Sequence, residues 1–179
     1  MTENNYSKPM LNGRPVEIER KYLITPPNDS IIEILKNCEG YSSSAIEQIY
    51  ITDKNGQYGR IRKRQYDDIC RYYYTIKQNI NGLSRFETEF EITEQEYDQM
   101  SKLVRQGTAP VKKVRICFLY EAQLFELDLY EFDRAFATLE IELQSEDQSV
   151  SLPDFINVIK DVTGDPEYLN FAISQRISR

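Results

Sequence analysis

The stretch Val16-Glu-Ile-Glu-Arg-Lys-Tyr-Leu-Ile24 alternates charged with apolar side chains, and it decides the fold. Successive side chains of a β-strand point to opposite faces, so Glu17, Glu19 and Lys21 share one face of a predicted strand. The apolar residues between them take the other face. One strand of this kind is typical of a sheet with one face in water, so its meaning depends on the rest of the chain.

The same alternation recurs in five further segments. The charged residues that recur with a period of two are Arg60, Arg62 and Arg64; Arg85, Glu87, Glu89 and Glu91; Lys113 and Arg115; Glu126 and Asp128; and Glu140 and Glu142. Six such strands in one small domain predict a sheet that turns its apolar face outward, where helices cover it. The charged face would then surround an ionic ligand. Arg64 and Glu91 fall at strand ends and are predicted to be surface charges.

Turn and capping signals divide the chain into eight strands and four helices. The predicted strands lie near 16–24, 45–52, 57–65, 70–78, 84–92, 111–120, 123–131 and 136–144. The predicted helices cover about 28–38, 93–106, 153–162 and 166–175. Residues 1–14 are predicted to be a loose N-terminal arm, and residues 15–179 a single domain.

Eight strands are enough to close a barrel, which removes the exposed edges of an open sheet. The stronger period-two signal is charge, and the opposite face carries Ile, Leu, Val, Tyr and Phe. The predicted fold is therefore α+β: an eight-stranded antiparallel β-barrel, or tunnel, with a charged interior and flanking helices.

Composition excludes several classes of function. The net charge of −7 argues against a nucleic-acid partner, whose binding surface would be broadly basic. No apolar run approaches the roughly 18 residues of a membrane span, and no signal peptide precedes the first strand, so we expect a cytoplasmic protein without a membrane partner. Three cysteines at wide spacing argue against a disulfide framework and against a zinc site.

The absence of histidine restricts the chemistry further. It removes histidine-assisted nucleophiles and all histidine metal ligands. Any metal must therefore be held by oxygen, which suits Mg²⁺, Mn²⁺ or Ca²⁺.

The charges of the predicted bore have both signs. Ion pairs alone would be costly there, because desolvation offsets most of the Coulomb gain. A polyphosphate chelated to a divalent metal explains both signs, since arginine and lysine bind phosphate oxygens and carboxylates bind the metal.

Several motifs follow one another in order along the chain. They are Glu17-x-Glu19-x-Lys21, Arg60-Ile-Arg62, Thr75-Ile-Lys77, Arg85-x-Glu87-x-Glu89, Lys113-x-Arg115, Phe125-Glu-Leu-Asp128-Leu-Tyr130, Leu139-Glu-Ile-Glu142-Leu, and Val162-Thr-Gly-Asp165 with Tyr168 and Asn170. Over about residues 16–173 this series resembles the CYTH domain, or triphosphate tunnel metalloenzymes.

The resemblance implies a metal-dependent triphosphatase that cleaves inorganic tripolyphosphate to pyrophosphate and phosphate inside the tunnel. It implies Mg²⁺ or Mn²⁺ held by Glu17, Glu19, Asp128, Glu140 and Glu142. It implies phosphate groups bound by Lys21, Arg60, Arg62, Lys77, Arg85, Lys113 and Arg115. Lys21, Tyr50, Glu87 and Glu89 are the catalytic candidates, with Glu87, Glu89 or a metal-bound water deprotonating the attacking water.

Other functions would use the same tunnel. An adenylate cyclase of the same family would need a place for adenine, and the sequence shows no obvious purine pocket. A thiamine triphosphatase is disfavoured because the chain has no tryptophan to stack on thiamine. A non-catalytic polyphosphate-binding module would not need every metal carboxylate. Apolar residues on the outer helices are compatible with a homodimer and equally with packing onto the sheet.

Overall fold

The computed structural model describes residues 9–11, 13–79 and 84–179. Within these segments the strands are β1 (Met10–Leu11), β2 (Arg14–Ile24), β3 (Ser42–Thr52), β4 (Tyr58–Tyr66), β5 (Ile69–Asn79), β6 (Ser84–Ile92), β7 (Val111–Tyr120), β8 (Gln123–Tyr130), β9 (Ala137–Leu143) and β10 (Val158–Asp161). The α-helices are α1 (Asp29–Lys36), α2 (Glu94–Met100) and α3 (Asn170–Ile177), and two 3₁₀ turns cover Ser101–Leu103 and Pro166–Tyr168.

Eight of the strands close into an antiparallel barrel. Their order around it is β2, β6, β5, β4, β3, β7, β8 and β9, and β9 pairs with β2 to complete the circle. At the closing pair Lys21 lies opposite Glu140, and Glu19 lies opposite Glu142. The predicted eight-stranded barrel is confirmed, and its register brings charged residues of neighbouring strands side by side.

The apolar packing lies mostly outside the barrel, as predicted. On the outer faces of β2, β7, β8 and β9, a large apolar cluster packs against Leu35 of α1. A second cluster joins Ile51 and Ile61 to Tyr97 of α2. The barrel is thus stabilised by helices on its outer surface, which leaves its interior available for polar side chains.

The third helix lies across one end of the barrel. Ile173 of α3 packs against Val111 and Tyr130. Both positions have the same parity as charged residues of their own strands, Lys113 on β7 and Asp128 on β8, so they face the bore. Apolar contacts therefore hold α3 at this end of the barrel.

Local capping signals set two helix starts. The side chain of Asn28 accepts a hydrogen bond from the backbone of Ile31 at 3.0 Å and begins α1. Thr93 and Glu96 form the reciprocal capping box that the sequence predicts. Helix α2 is shorter than predicted, because after the 3₁₀ turn Val104 pairs with Ile51 instead of continuing the helix.

Removing the Thr93 cap should lower stability without affecting the bore. Thr93→Ala leaves the Glu96 backbone N–H without its acceptor, and we expect the free energy of unfolding to fall by about 1 kcal/mol in urea denaturation. Thr93→Ser keeps the hydroxyl and serves as the control. Equal stability of the alanine and serine variants would show that the hydroxyl of the cap contributes nothing measurable.

The prediction of a helix over residues 153–162 is wrong. The segment forms a turn and then β10, which pairs with the last residues of β2, including Leu23 opposite Lys160. The reason lies in the backbone of β2. Strand β6 pairs only with the first half of β2, so the backbone groups of the second half need other hydrogen-bond partners on that side. The free edge that remains is satisfied by β10 and by the Val162 N–H, which donates to the Lys21 carbonyl at 2.9 Å.

The predicted terminal helix exists but begins later than expected. Asp165 caps the 3₁₀ turn, and α3 starts only at Asn170. Most of the predicted N-terminal arm lies outside the described residues, and Met10–Leu11 pair with Pro15 and Arg14. The division into arm and domain stays a prediction. Among the described helices, none combines the length and apolar character that crossing a bilayer requires.

Candidate active site

A cavity of about 1620 Å³ occupies the bore. Twelve of the predicted site residues line this cavity: Glu17, Glu19, Lys21, Tyr50, Arg60, Arg62, Glu87, Glu89, Lys113, Arg115, Glu140 and Glu142. Asp128 lies behind this lining and is 0% exposed. The backbones of Lys77 and Arg85 belong to β5 and β6, but their side chains lie outside the described part of the structure. The structure thus gathers these twelve predicted residues around one space.

The two signs of charge occupy different halves of the barrel. Four neighbouring strands, β8, β9, β2 and β6, are here called the acidic arc. Their carboxylates in the cavity lining are Glu126, Glu140, Glu142, Glu17, Glu19, Glu87 and Glu89. The remaining strands β5, β4, β3 and β7, the basic arc, contribute Arg71, Arg60, Arg62, Arg64, Lys113 and Arg115. Among the side chains that the structure describes, Lys21 is the basic residue that lines the cavity from the acidic arc. A ligand in the bore therefore meets carboxylates on one side and guanidinium groups on the other.

Arg115 connects the two arcs where β7 meets β8. Its guanidinium donates to both carboxylate oxygens of Asp128 at 2.7 Å and to Glu140 at 2.7 Å, and it also pairs with Glu126. Lys113 pairs with Asp128 as well, and Lys21 pairs with Glu140 at 2.7 Å. Buried charges are tolerated when they are paired and hydrogen-bonded in this way.

These contacts decide which groups stay ionised. Burial raises the pKa of Glu140, but Lys21 and Arg115 outweigh it and hold that pKa well below the ordinary value. In the same way burial lowers the pKa of Lys21, yet the Glu140 carboxylate leaves it above the ordinary lysine value. Burial and the neighbouring Arg115 lower the pKa of Lys113 to about 8. Glu140 therefore stays anionic at neutral pH.

Arg60 and Arg62 lie on the opposite side of the bore. Arg60 donates to Gln48 at 3.4 Å and to Thr75 at 3.3 Å, and Glu89 is 3.8 Å from Arg60. The Nε atoms of both arginines are buried and have no hydrogen-bond partner among the described residues. Burial and the adjacent Arg62 lower the pKa of Arg60. Unused buried donors beside a like charge fit an anion, because a phosphate oxygen would accept from them.

The acidic arc offers carboxylate oxygens, the kind of ligand that a hard divalent cation prefers. Glu19 and Glu142 lie directly opposite each other on β2 and β9, and Glu126 lies opposite Glu140. Like charges in opposed positions repel, and a cation between them would offset this repulsion. No group of three acidic or cysteine side chains within the described segments is arranged to hold a metal ion. Asp128 and Glu140 are instead bonded to Arg115, so the predicted ligand set stays a prediction.

Tyr50 lies on the wall near the α3 end. Its hydroxyl accepts from Gln48 at 2.9 Å, and its ring meets the edge of Phe171 with centroids 5.2 Å apart. The Tyr130 hydroxyl donates to Asn170 at 3.1 Å. The catalytic assignment of Tyr50 stays a prediction.

Sequence reasoning misplaced one bore residue and missed several others. Arg64 lines the cavity and donates to Ser44 at 3.0 Å, so its interpretation as a surface charge is wrong. Its shared parity with Arg60 and Arg62 was the signal that could have placed it. Thr75 and Arg105 also line the cavity without having been assigned a role.

The closed barrel and its half-acidic, half-basic bore point to the family that the sequence resembles. Comparison with known sequences leads to the same family. The chain belongs to the CYTH domain family, whose sequence model matches residues 15–159. It is 30% identical over 160 residues to the inorganic triphosphatase of Acetivibrio thermocellus, covering 86% of this chain and 90% of that protein. The predicted family is confirmed.

Solved structures show the same fold. The inorganic triphosphatase NE1496 superposes with a TM-score of 0.55 at 26% identity, covering 93% of this chain and 97% of that one. The PH1819 protein from Pyrococcus horikoshii OT3 gives a TM-score of 0.54 at 23% identity, covering 73% of this chain and 80% of that one.

Proposed function

We propose that the protein is a divalent-metal-dependent hydrolase that cleaves inorganic tripolyphosphate to pyrophosphate and phosphate within the barrel. The observation that carries this proposal is the division of the bore into an acidic and a basic arc. A metal–triphosphate complex has the same division, with anionic oxygens on one side and a cation on the other. The similarity to inorganic triphosphatases supports the choice of substrate.

The basic arc would bind the phosphate groups. Arg60 and Arg62 have buried Nε donors available for phosphate oxygens, and Lys113 and Arg115 face the same cavity from β7. Lys21 adds a cation from the acidic side. Lys77 and Arg85 are assigned to the same role from the sequence pattern.

The acidic arc would hold the metal. Glu17, Glu19, Glu140 and Glu142 face the cavity from β2 and β9. To bind the metal, Asp128 and Glu140 would have to exchange their bonds with Arg115. Bound Mg²⁺ or Mn²⁺ would neutralise charge on the phosphate oxygens.

Glu89 is well placed to activate water. Its carboxylate accepts from Thr75 at 2.7 Å and lies 3.8 Å and 3.9 Å from the guanidinium groups of Arg60 and Arg62. A water between this carboxylate and the bound terminal phosphorus would attack that phosphorus. The bond to the bridging oxygen breaks, its electron pair leaves with pyrophosphate, and the proton of the water passes to Glu89. Glu87, on the same face of β6, is the other candidate for this proton.

Phosphate release from tripolyphosphate, ATP, thiamine triphosphate and pyrophosphate tests the proposal. With Mg²⁺ or Mn²⁺ we expect hydrolysis of tripolyphosphate to exceed that of the other three at least tenfold in kcat/KM, a preference of about 1.4 kcal/mol. Chelation of the metal should abolish it, and readdition should restore it.

Other outcomes would identify other functions. Cyclic AMP formed from ATP would indicate a cyclase, and preferred cleavage of thiamine triphosphate would change the substrate. Tight tripolyphosphate binding without turnover would indicate a binding module. The cytoplasmic location and the homodimer stay predictions.

A further inference from the structure

One part of the barrel wall is built by a loop. Strand β3 pairs with β7 only from Ser42 to Gln48, so the rest of β3 lacks a neighbouring strand on that side. Val104 pairs with Ile51 there, and the Arg105 N–H donates to the Tyr50 carbonyl at 2.8 Å. This backbone pairing carries Arg105 into the wall of the cavity, although it belongs to none of the eight strands.

Two aromatic rings hold the Arg105 guanidinium. Its central carbon lies 3.8 Å from the ring centroid of Tyr58 and 4.5 Å from that of Phe171. Stacking uses the flat faces of a guanidinium and leaves the N–H groups at its edge for hydrogen bonds. To the described residues this side chain makes neither a hydrogen bond nor an ion pair. Arg105 is therefore fixed in place with its donors available.

The position of Arg105 continues the row of bore arginines. Tyr58 precedes Arg60 by two residues on β4, which places their side chains on one face about 7 Å apart. Tyr50, whose carbonyl fixes Arg105, lies opposite Arg60 in the register of β3 and β4. The row Arg64, Arg62 and Arg60 thus gains a further cation at the end of the bore where Phe171 of α3 lies.

We infer that Arg105 is an additional substrate-binding residue that donates to a terminal phosphate of inorganic tripolyphosphate at the α3 end of the bore. The inference rests on the proposed function. It adds a contact that the strand pattern does not contain, and it places one end of the substrate beside Tyr50 and Phe171. The stacked rings keep the guanidinium in place before substrate arrives, which reduces the entropy lost on binding.

The test is the dissociation constant of tripolyphosphate, measured by calorimetry in buffer without divalent metal. Arg105→Met keeps an unbranched side chain between the rings but removes the charge, whereas Arg105→Lys keeps the charge. The matched control is Arg176→Met, because Arg176 of α3 also stacks on two rings, Phe132 and Phe136, each at 5.0 Å, and does not line the cavity. Thermal unfolding of each variant reports any loss of structure.

We expect Arg105→Met to weaken binding by about tenfold to a hundredfold, the effect of losing one charge-assisted hydrogen bond. Arg105→Lys should lose less, and Arg176→Met should stay within twofold of the wild type. A change below fivefold in Arg105→Met, or an equal change in Arg176→Met, would overturn the inference and leave Arg105 as a fastening for α3.

Failure of the inference can be told from failure of the proposed function. Wild-type hydrolysis with unaltered binding in Arg105→Met removes only the role of Arg105. Weakened binding in Arg105→Met without wild-type hydrolysis removes only the enzyme assignment. Absence of both tripolyphosphate binding and tripolyphosphate hydrolysis by the wild type removes both.

Discussion

Asp128→Asn is expected to lower the free energy of unfolding by about 3–5 kcal/mol, the typical result of removing one partner from a buried ion pair. Asp128 is 0% exposed and balances both Lys113 and Arg115. The substitution keeps the shape of the side chain and removes only the charge. The buried cations Lys113 and Arg115 would then lack one of their carboxylate partners. Urea denaturation would measure the loss in free energy of unfolding.

Glu126→Gln is the matched control for Asp128→Asn. Glu126 also pairs with Arg115, but its side chain is 20% exposed, so solvent compensates for its lost charge and we expect less than about 1 kcal/mol. Equal losses in the two variants would contradict the central role of Asp128.

The pH dependence of stability gives a second measurement on the same pair of variants. Burial raises the pKa of Asp128, but Arg115 and Lys113 outweigh it and hold the value below that of an ordinary carboxyl group. The stabilisation by Asp128 is thus fully present above the unfolded pKa and is lost as pH falls through the folded pKa. Asp128→Asn should lack this part of the acid dependence.

Glu89→Gln is expected to lower kcat for tripolyphosphate by a factor of about 10² to 10⁴, the usual contribution of a general base. The amide can still accept the hydrogen bond from Thr75 but cannot take a proton from water. KM should change little, because the arginines that we propose to bind phosphate remain. Steady-state phosphate release measures both constants.

Glu91→Gln is the control for Glu89→Gln. Glu91 has the same parity on β6, but it is exposed and lies outside the cavity lining. We expect its kcat to stay within twofold of the wild type. If Glu89→Gln also retained wild-type kcat, the proton would have to pass to Glu87 or to another acceptor.

Much of the barrel could be predicted because side-chain parity is a local property. The alternation around Glu17, Glu19 and Lys21 specifies which residues share a face, and the structure keeps that face inside. The partners across strands were not predictable in the same way. That Arg115 bonds Asp128 and Glu140 together depends on the register of three strands, which a single sequence does not encode locally.

Errors arose where distant backbone requirements decided the structure. Residues 158–161 have side chains compatible with a helix, but the exposed edge of β2 made them a strand. Arg105 follows a helix and belongs to no alternating segment, so nothing near it in the sequence marked it as a bore residue. The incomplete pairing of β3 with β7 brought it there.

The barrel keeps its apolar packing outside and its charges inside, so alternate residues of one strand serve different purposes. On β2 the side chains of Ile18 and Tyr22 pack in the apolar cluster, and those of Glu17 and Glu19 line the cavity. A lineage that keeps the first set could acquire a new anionic substrate by replacing members of the second. Evolutionary change along each strand should therefore be periodic, with substitutions that alter specificity concentrated at every second residue.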